Sequence, residues 1–116
     1  MIRKSLSIVD KSKKYLSDIL IAIDLIEQFT VDTADFDVYQ KDLKTQSAVE
    51  RQLVIIGEAL NKLKISDQNM KIENDKQIIG FRNRLVHSYD SIDNSIVWAI
   101  LNRHLPRLKE EIKAFS

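Results

Sequence analysis

Two glycines and one proline are all the backbone punctuation that this chain of 116 residues carries. Tight hairpin turns rely on glycine for positive φ and on proline for a preset φ, so a fold of many short strands has no turn chemistry to draw on here. Long helices joined by few connections are what remains. The apolar pattern agrees: Val49, Leu53, Ile56, Leu60 and Leu63 step by four and three, while Glu50, Arg51, Glu58, Asn61 and Lys62 keep off that seam. This spacing predicts a helix over 43–64, about 33 Å long at ~1.5 Å per residue.

Leu6, Val9, Leu16, Ile19, Ile23 and Ile26 recur at the same period and predict a first helix over 5–30. Residues 31–42 place Asp32, Asp35, Asp37 and Asp42 around Phe36 and Tyr39 and read as an acidic connector holding one helical turn. Ser66-Asp67-Gln68-Asn69 marks a polar loop. A third helix is expected from near Asn74 through Ile78, Ile79, Phe81, Leu85 and Val86. It should end in Ser88-Tyr89-Asp90-Ser91, where small polar side chains compete with the helical backbone. The last helix starts at Asp93, a suitable N-cap, and carries Ile96, Val97, Ile100, Leu101, Leu105, Leu108, Ile112 and Phe115. Pro106 removes one helical donor and should kink or restart that helix. No repeat or second domain is visible, so residues 1–116 read as a single all-α domain, an antiparallel bundle of four to five helices.

Composition narrows the chemistry. With 44% hydrophobic and 30% charged residues the chain can build a core and is too apolar for disorder. The absence of cysteine excludes disulfides, zinc–thiolate sites, iron–sulfur clusters and thiol nucleophiles, and it suits a reducing cytoplasm. Eighteen basic residues against seventeen acidic ones leave a net charge of +1, so a nucleic-acid partner needs a local basic patch. The apolar run Ile19-Leu20-Ile21-Ala22-Ile23 is closed by Asp18 and Asp24 and is too short to span a bilayer. No apolar segment of signal-peptide length follows Arg3 and Lys4, and a cytoplasmic location without membrane contact is expected. No phosphate-binding loop is present, and His87 and His104 stand seventeen apart with no zinc-type pair. Asp35 and Asp37 lack a third fixed ligand for magnesium and read better as caps or solvated charges. No metal or cofactor is expected.

One segment stands apart: Gly80-Phe81-Arg82-Asn83-Arg84-Leu85-Val86-His87-Ser88-Tyr89. Its residue types suit cleavage of a phosphodiester without metal. An imidazole can give or take a proton near neutrality, and a guanidinium offers a donor fork to a charged phosphorane. At ~100° per residue Asn83 and His87 lie ~40° apart on one face, but Arg82 and His87 lie ~140° apart. The two can converge if Arg82 reaches around the helix, or if the helix loosens at His87. From the residues alone, a histidine and an arginine near a helix end are more often caps and surface donors than catalysts. Arg84 reads as a phosphate contact or a solvated charge, His104 as structural, and Tyr89 as a buried aromatic whose hydroxyl finds a partner.

At this segment the chain resembles the HepT group of HEPN-domain proteins, the toxin half of MNT/HepT toxin–antitoxin pairs. The HepT form of the HEPN signature, Arg-Asn-x-x-x-His-x-Tyr, is met by Arg82, Asn83, His87 and Tyr89. Ala48-Val49-Glu50-Arg51 with Ile55-Ile56-Gly57-Glu58-Ala59, the approach Ile78-Ile79-Gly80-Phe81, Ile96-Val97-Trp98 and Leu105-Pro106 extend the likeness over roughly residues 12–115. Ser88 stands where glycine is common in the family, and the loop at 65–73 is short.

The resemblance implies a HEPN-like homodimer acting as a metal-independent endoribonuclease, the toxin of a type VII-like module. Arg82 would bind the scissile phosphate and stabilise its transition state, His87 would be the acid–base residue, and Asn83 would orient His87 or a phosphate. Arg84 would support RNA binding. Glu58 would line the cleft or hold an internal contact, and both readings stay open. Tyr89 would receive AMP from a cognate MNT-type nucleotidyltransferase antitoxin. Chemistry gives its own reason for a dimer, because acid–base cleavage uses one group on the 2′-hydroxyl and another on the leaving oxygen, while one chain supplies a single motif histidine. The rival expectation is a non-catalytic helical subunit that binds a nucleotide or a nucleotidyltransferase partner.

Overall fold

A computed structural model describes residues 2–88 and 92–116, with side chains from residue 11 onward. The elements in order are α1 (Ile2–Phe29), α2 (Phe36–Lys41), α3 (Leu43–Ser66), α4 (Asp75–His87), α5 (Asn94–Ala99), a π-helical turn (Ile100–His104) and α6 (Leu105–Phe115). Among the described residues there is no strand. The all-helical expectation therefore holds, with α1 two to three residues longer at its start than its apolar period indicates.

The long helices α1 and α3 fold back on one another through the short α2 and form the spine. Leu16, Ile19, Ile23 and Ile26 of α1 are at most 4% exposed, and so are Val49, Leu53, Ile56, Leu60 and Leu63 of α3. Burying each such side chain contributes roughly 1.5–3 kcal/mol, so this double seam holds a large share of the fold's hydrophobic energy. Helix α4 packs on α3 through Ile78, Phe81 and Leu85, and α6 packs on α1 through Leu105, Leu108 and Ile112. Lys109 of α6 reaches Glu27 of α1 at 2.9 Å and Asp24 at 3.7 Å, an exposed cluster of little weight beside the apolar seam.

Side-chain caps set most of the breaks. Asp35 Oδ1 accepts from Val38 N at 3.0 Å and starts α2, while Asp42 Oδ1 accepts from Thr45 N at 3.0 Å and starts α3. Asp93 starts α5 by accepting from Ser95 N at 2.9 Å. Asn74, ahead of α4, sits in the left-handed region at φ 66°, which asparagine tolerates better than other side chains. The connector departs from expectation: α2 has six residues and docks. Tyr39 is fully buried, with its ring 5.5 Å from that of Trp98, and Gln46 Nε2 donates to the carbonyls of Tyr39 and Gln40 at the end of α2. Acidic composition hid an element whose docking depends on partners in α3 and α5.

Pro106 restarts the last helix, as one of its two expected effects. Its ring would crowd the carbonyl of Asn102 in an α-helix, and it has no N–H to bond there. The backbone widens instead into the π turn, with Leu105 N–H bonding the carbonyl of Ile100, five residues back. Asn102 Nδ2 donates to the Trp98 carbonyl at 2.8 Å along the same stretch.

Candidate active site on α4

The helix carrying Arg82, Asn83, Arg84 and His87 is anchored by its opposite face. Ile78, Phe81 and Leu85 are buried, which turns Asn83 and His87 outward, and both are exposed. Ser88 N–H still bonds the Arg84 carbonyl at 2.8 Å, so the helix is closed up to His87 and has not loosened there. Arg82 takes the other route. It leaves α4 on the flank facing α3, with its side chain 26% exposed, and its guanidinium curls round the helix. Nη2 donates to Glu58 Oε1 at 3.0 Å and Nη1 donates to Asn83 Oδ1 at 2.9 Å. Because Asn83 stands ~40° from His87 on the wheel, this brings the guanidinium toward the face that presents His87.

Asn83 is thus a partner of Arg82, where either His87 or a phosphate was expected to engage it. Glu58, open between lining a cleft and holding a contact, holds Arg82. Two acceptors on two different helices fix the plane of the fork and leave its remaining Nη–H groups free to meet an anion. Arg82 Nε is buried and has no acceptor, a local cost of order 1–3 kcal/mol that the fold accepts in order to hold the guanidinium in this place.

Gly57 makes the seat possible. A Cβ at that position would lie 2.3 Å from Arg82 Cβ and 2.7 Å from Arg82 Cγ. The stem of the arginine therefore crosses α3 directly over the glycine backbone, and no other residue type allows the crossing without movement. Residue-by-residue reasoning gave Gly57 no part in the site. The signal was present, since a glycine inside the cleanest helix of the chain costs about 1 kcal/mol relative to alanine, but its partner lies 25 residues away.

Arg84 and His104 meet at a groove between α4 and the last helix. His104, read as structural, is half-buried in its wall. Tyr89 lies outside the described residues. Asp35 is occupied in capping α2.

Residues 19–115 match the family described as "Ribonuclease HepT-like". A protein of Thermococcus cleftensis named "Probable ribonuclease HepT" is 37% identical over 98 residues, covering 84% of this chain and 88% of that protein. "Putative RNase MJ1380" of Methanocaldococcus jannaschii is 34% identical over 103 residues, covering 87% of this chain and 93% of that protein. "Putative RNase TTE0752" of Caldanaerobacter subterraneus is 32% identical over 104 residues, covering 87% and 90% respectively. No solved structure gives a significant match.

Proposed function

This chain belongs to the HepT-like ribonuclease family, and from that premise we propose that it is an endoribonuclease that cleaves RNA by metal-independent acid–base chemistry in the cleft of a homodimer. The observation that carries the reading is the seating of Arg82 by Glu58 and Asn83 on the same helix that exposes His87. A cation held by two fixed acceptors, with donors to spare, is built to receive a phosphate.

In this reading Arg82 binds the scissile phosphate and stabilises charge on the phosphorane. His87 of one chain takes the proton of the 2′-hydroxyl, whose oxygen attacks the adjacent phosphorus. The bond to the 5′-oxygen breaks, and His87 of the second chain protonates that leaving oxygen. The products are a 2′,3′-cyclic phosphate and a 5′-hydroxyl. A twofold axis supplies both histidines to one cleft.

The biological setting follows the same resemblance. The chain is the toxin of a two-gene module whose antitoxin is an MNT-type nucleotidyltransferase, and the antitoxin silences it by transferring AMP to Tyr89. An adenylate two positions after His87 would add a negative phosphate and a purine to the segment that carries Arg82 and His87, and would compete with RNA for their donors without any unfolding.

The test is cleavage of RNA by the purified chain in EDTA, with the product ends determined chemically. Cyclic phosphate ends, lost in both Arg82→Ala and His87→Ala, are expected. Products with only 3′-hydroxyl ends, or cleavage that appears only on adding Mg²⁺, would overturn the mechanism. An intact RNA beside tight binding of the nucleotidyltransferase would favour a regulatory subunit instead. Mass spectrometry after co-expression with the transferase should find adenylate on Tyr89, and Tyr89→Phe should escape it.

A further inference from the structure

Helix α4 carries a second row beside the arginine seat. Lys76, Gly80 and His87 stand within ~40° of one another on the helix, spread over ~16 Å of its length. Gly80 is exposed, and a Cβ placed on it would meet nothing within 4 Å. No packing within this chain explains that glycine, in contrast to Gly57. A glycine in a helix interior lets something outside the chain approach the backbone closely.

Next to this row runs a groove of about 390 Å³, between α4 and the segment that bears the π turn, lined by Lys76, Gln77, Gly80, Arg84 and His104 over a floor that includes Ile100. A smaller cavity of about 230 Å³ continues it past Arg84 toward Ser88 and Asp93. Phe81 and Ile96 underlie both. The rim carries two cations, Lys76 and Arg84, beside the imidazole of His104, and among the described residues none of the three has a carboxylate partner. Lys64, Arg82, Arg107 and Lys109 are each paired with an acid. Asp93, the one carboxylate among the described residues lining the groove's far end, is engaged by Ser95 N and Ser95 Oγ at the start of α5. The widened turn at Ile100–His104 brings His104 to this wall, and π turns occur often at functional sites.

Lys76 and Arg84 over an apolar floor, on the helix that carries His87, form a surface for a polyanion that also carries flat apolar bases. We propose that the groove between α4 and the π turn holds the single-stranded RNA flanking the cleaved phosphate, with its phosphates on Lys76, Arg84 and His104 and a base over the Phe81–Ile96–Ile100 floor. The proposal rests on the ribonuclease reading and adds to it where the substrate lies. It gives His104 a role in binding rather than in the chemical step.

Fluorescence anisotropy with a short single-stranded 2′-O-methyl RNA, which has no nucleophilic 2′-hydroxyl, reads the groove separately from cleavage. Arg84→Ala should weaken binding about tenfold and lower the salt dependence by about one unit of slope. Lys113→Ala, which removes one exposed charge from α6 outside the groove, should stay within about twofold of wild type. Gly80→Met adds a side chain at the groove from a Cβ position that meets nothing within 4 Å, and on cleavable RNA it should raise KM while kcat is held. Circular dichroism and light scattering establish that each variant keeps its helices and its mass. Equal losses in Arg84→Ala and Lys113→Ala, no loss in either, or a loss that accompanies a fall in mass would overturn the proposal. The last result would assign the groove to contact with a second copy of the chain. A wild type that binds this probe through Arg84 and cuts no RNA would overturn the ribonuclease reading and leave the groove standing.

Discussion

Arg82 shows how a charged side chain is given a fixed position. Its stem lies over Gly57, its two Nη atoms reach acceptors on α3 and α4, and its outer Nη donors, like the buried Nε, remain uncommitted. Removing it should cost ~10²–10³ in cleavage rate. Removing His87 should cost ~10²–10⁴. Both variants should unfold at nearly the wild-type temperature, since His87 is exposed and Arg82 leaves no core cavity. The two glycines give a sharper test, because the same substitution should act in opposite directions. Gly57→Ala inserts a methyl group against Arg82, should destabilise by about 1–3 kcal/mol and should lower kcat by displacing the guanidinium. Gly80→Ala meets nothing and should stabilise α4 by about 0.5–1 kcal/mol. Urea unfolding of the pair, set beside cleavage rates, checks both. Glu58→Gln keeps an acceptor for Arg82 and should retain more activity than Glu58→Ala, which keeps none.

At the scale of the elements, aspartates hold the short pieces in place. Asp42 ends α2 and starts α3, and its bonds to Thr45 hold its carboxyl below the usual aspartate range. Ser95 does the same for Asp93 at α5. A carboxyl whose folded pKa is depressed stabilises above its unfolded value, near ~3.9, and that contribution disappears as pH falls through the folded value. Glu50 behaves oppositely: burial pushes its carboxyl up, so the folded state disfavours its charge as pH rises above the usual glutamate value. Thermal melts from pH 7 down to pH 3 should show Asp42→Asn and Asp93→Asn losing stability at neutral pH and converging with wild type in acid. Glu50→Gln should melt higher than wild type at neutral pH, with the gap closing as pH falls. A constant gap for all three would show that these caps and this buried acid do not govern the pH dependence.

For the molecule as a whole, the question is whether one chain is a complete catalyst. Each chain has one His87, and cleavage with both proton transfers asks for two. Mixing wild type with His87→Ala under conditions where protomers exchange distinguishes the cases. If both histidines serve one cleft, an equal mixture should retain roughly a quarter of the wild-type activity, the share of dimers with two intact chains. If each chain acts alone, it should retain roughly half. The described body extends 53 × 27 × 21 Å, and α4, which carries His87, also exposes Val86.

The sequence by itself determined the long helices, because a period of three and four residues along 43–64 and the shortage of turn residues are local facts that need no partner. Arg82, Asn83 and His87 were likewise legible as a cluster, since their spacing on one helix is local too. Tertiary structure decided what each of them touches. Whether Arg82 could meet the His87 face depended on Glu58 and Gly57, which lie on another helix and face α4 only after α3 and α4 have packed. The docking of α2 depended on Tyr39 meeting Trp98, 59 positions along the chain, and the groove of Arg84 and His104 exists only between two packed helices. Local periodicity follows from the geometry of one helix, whereas a site follows from distances between helices, and those are fixed by side-chain packing that no single stretch of sequence contains.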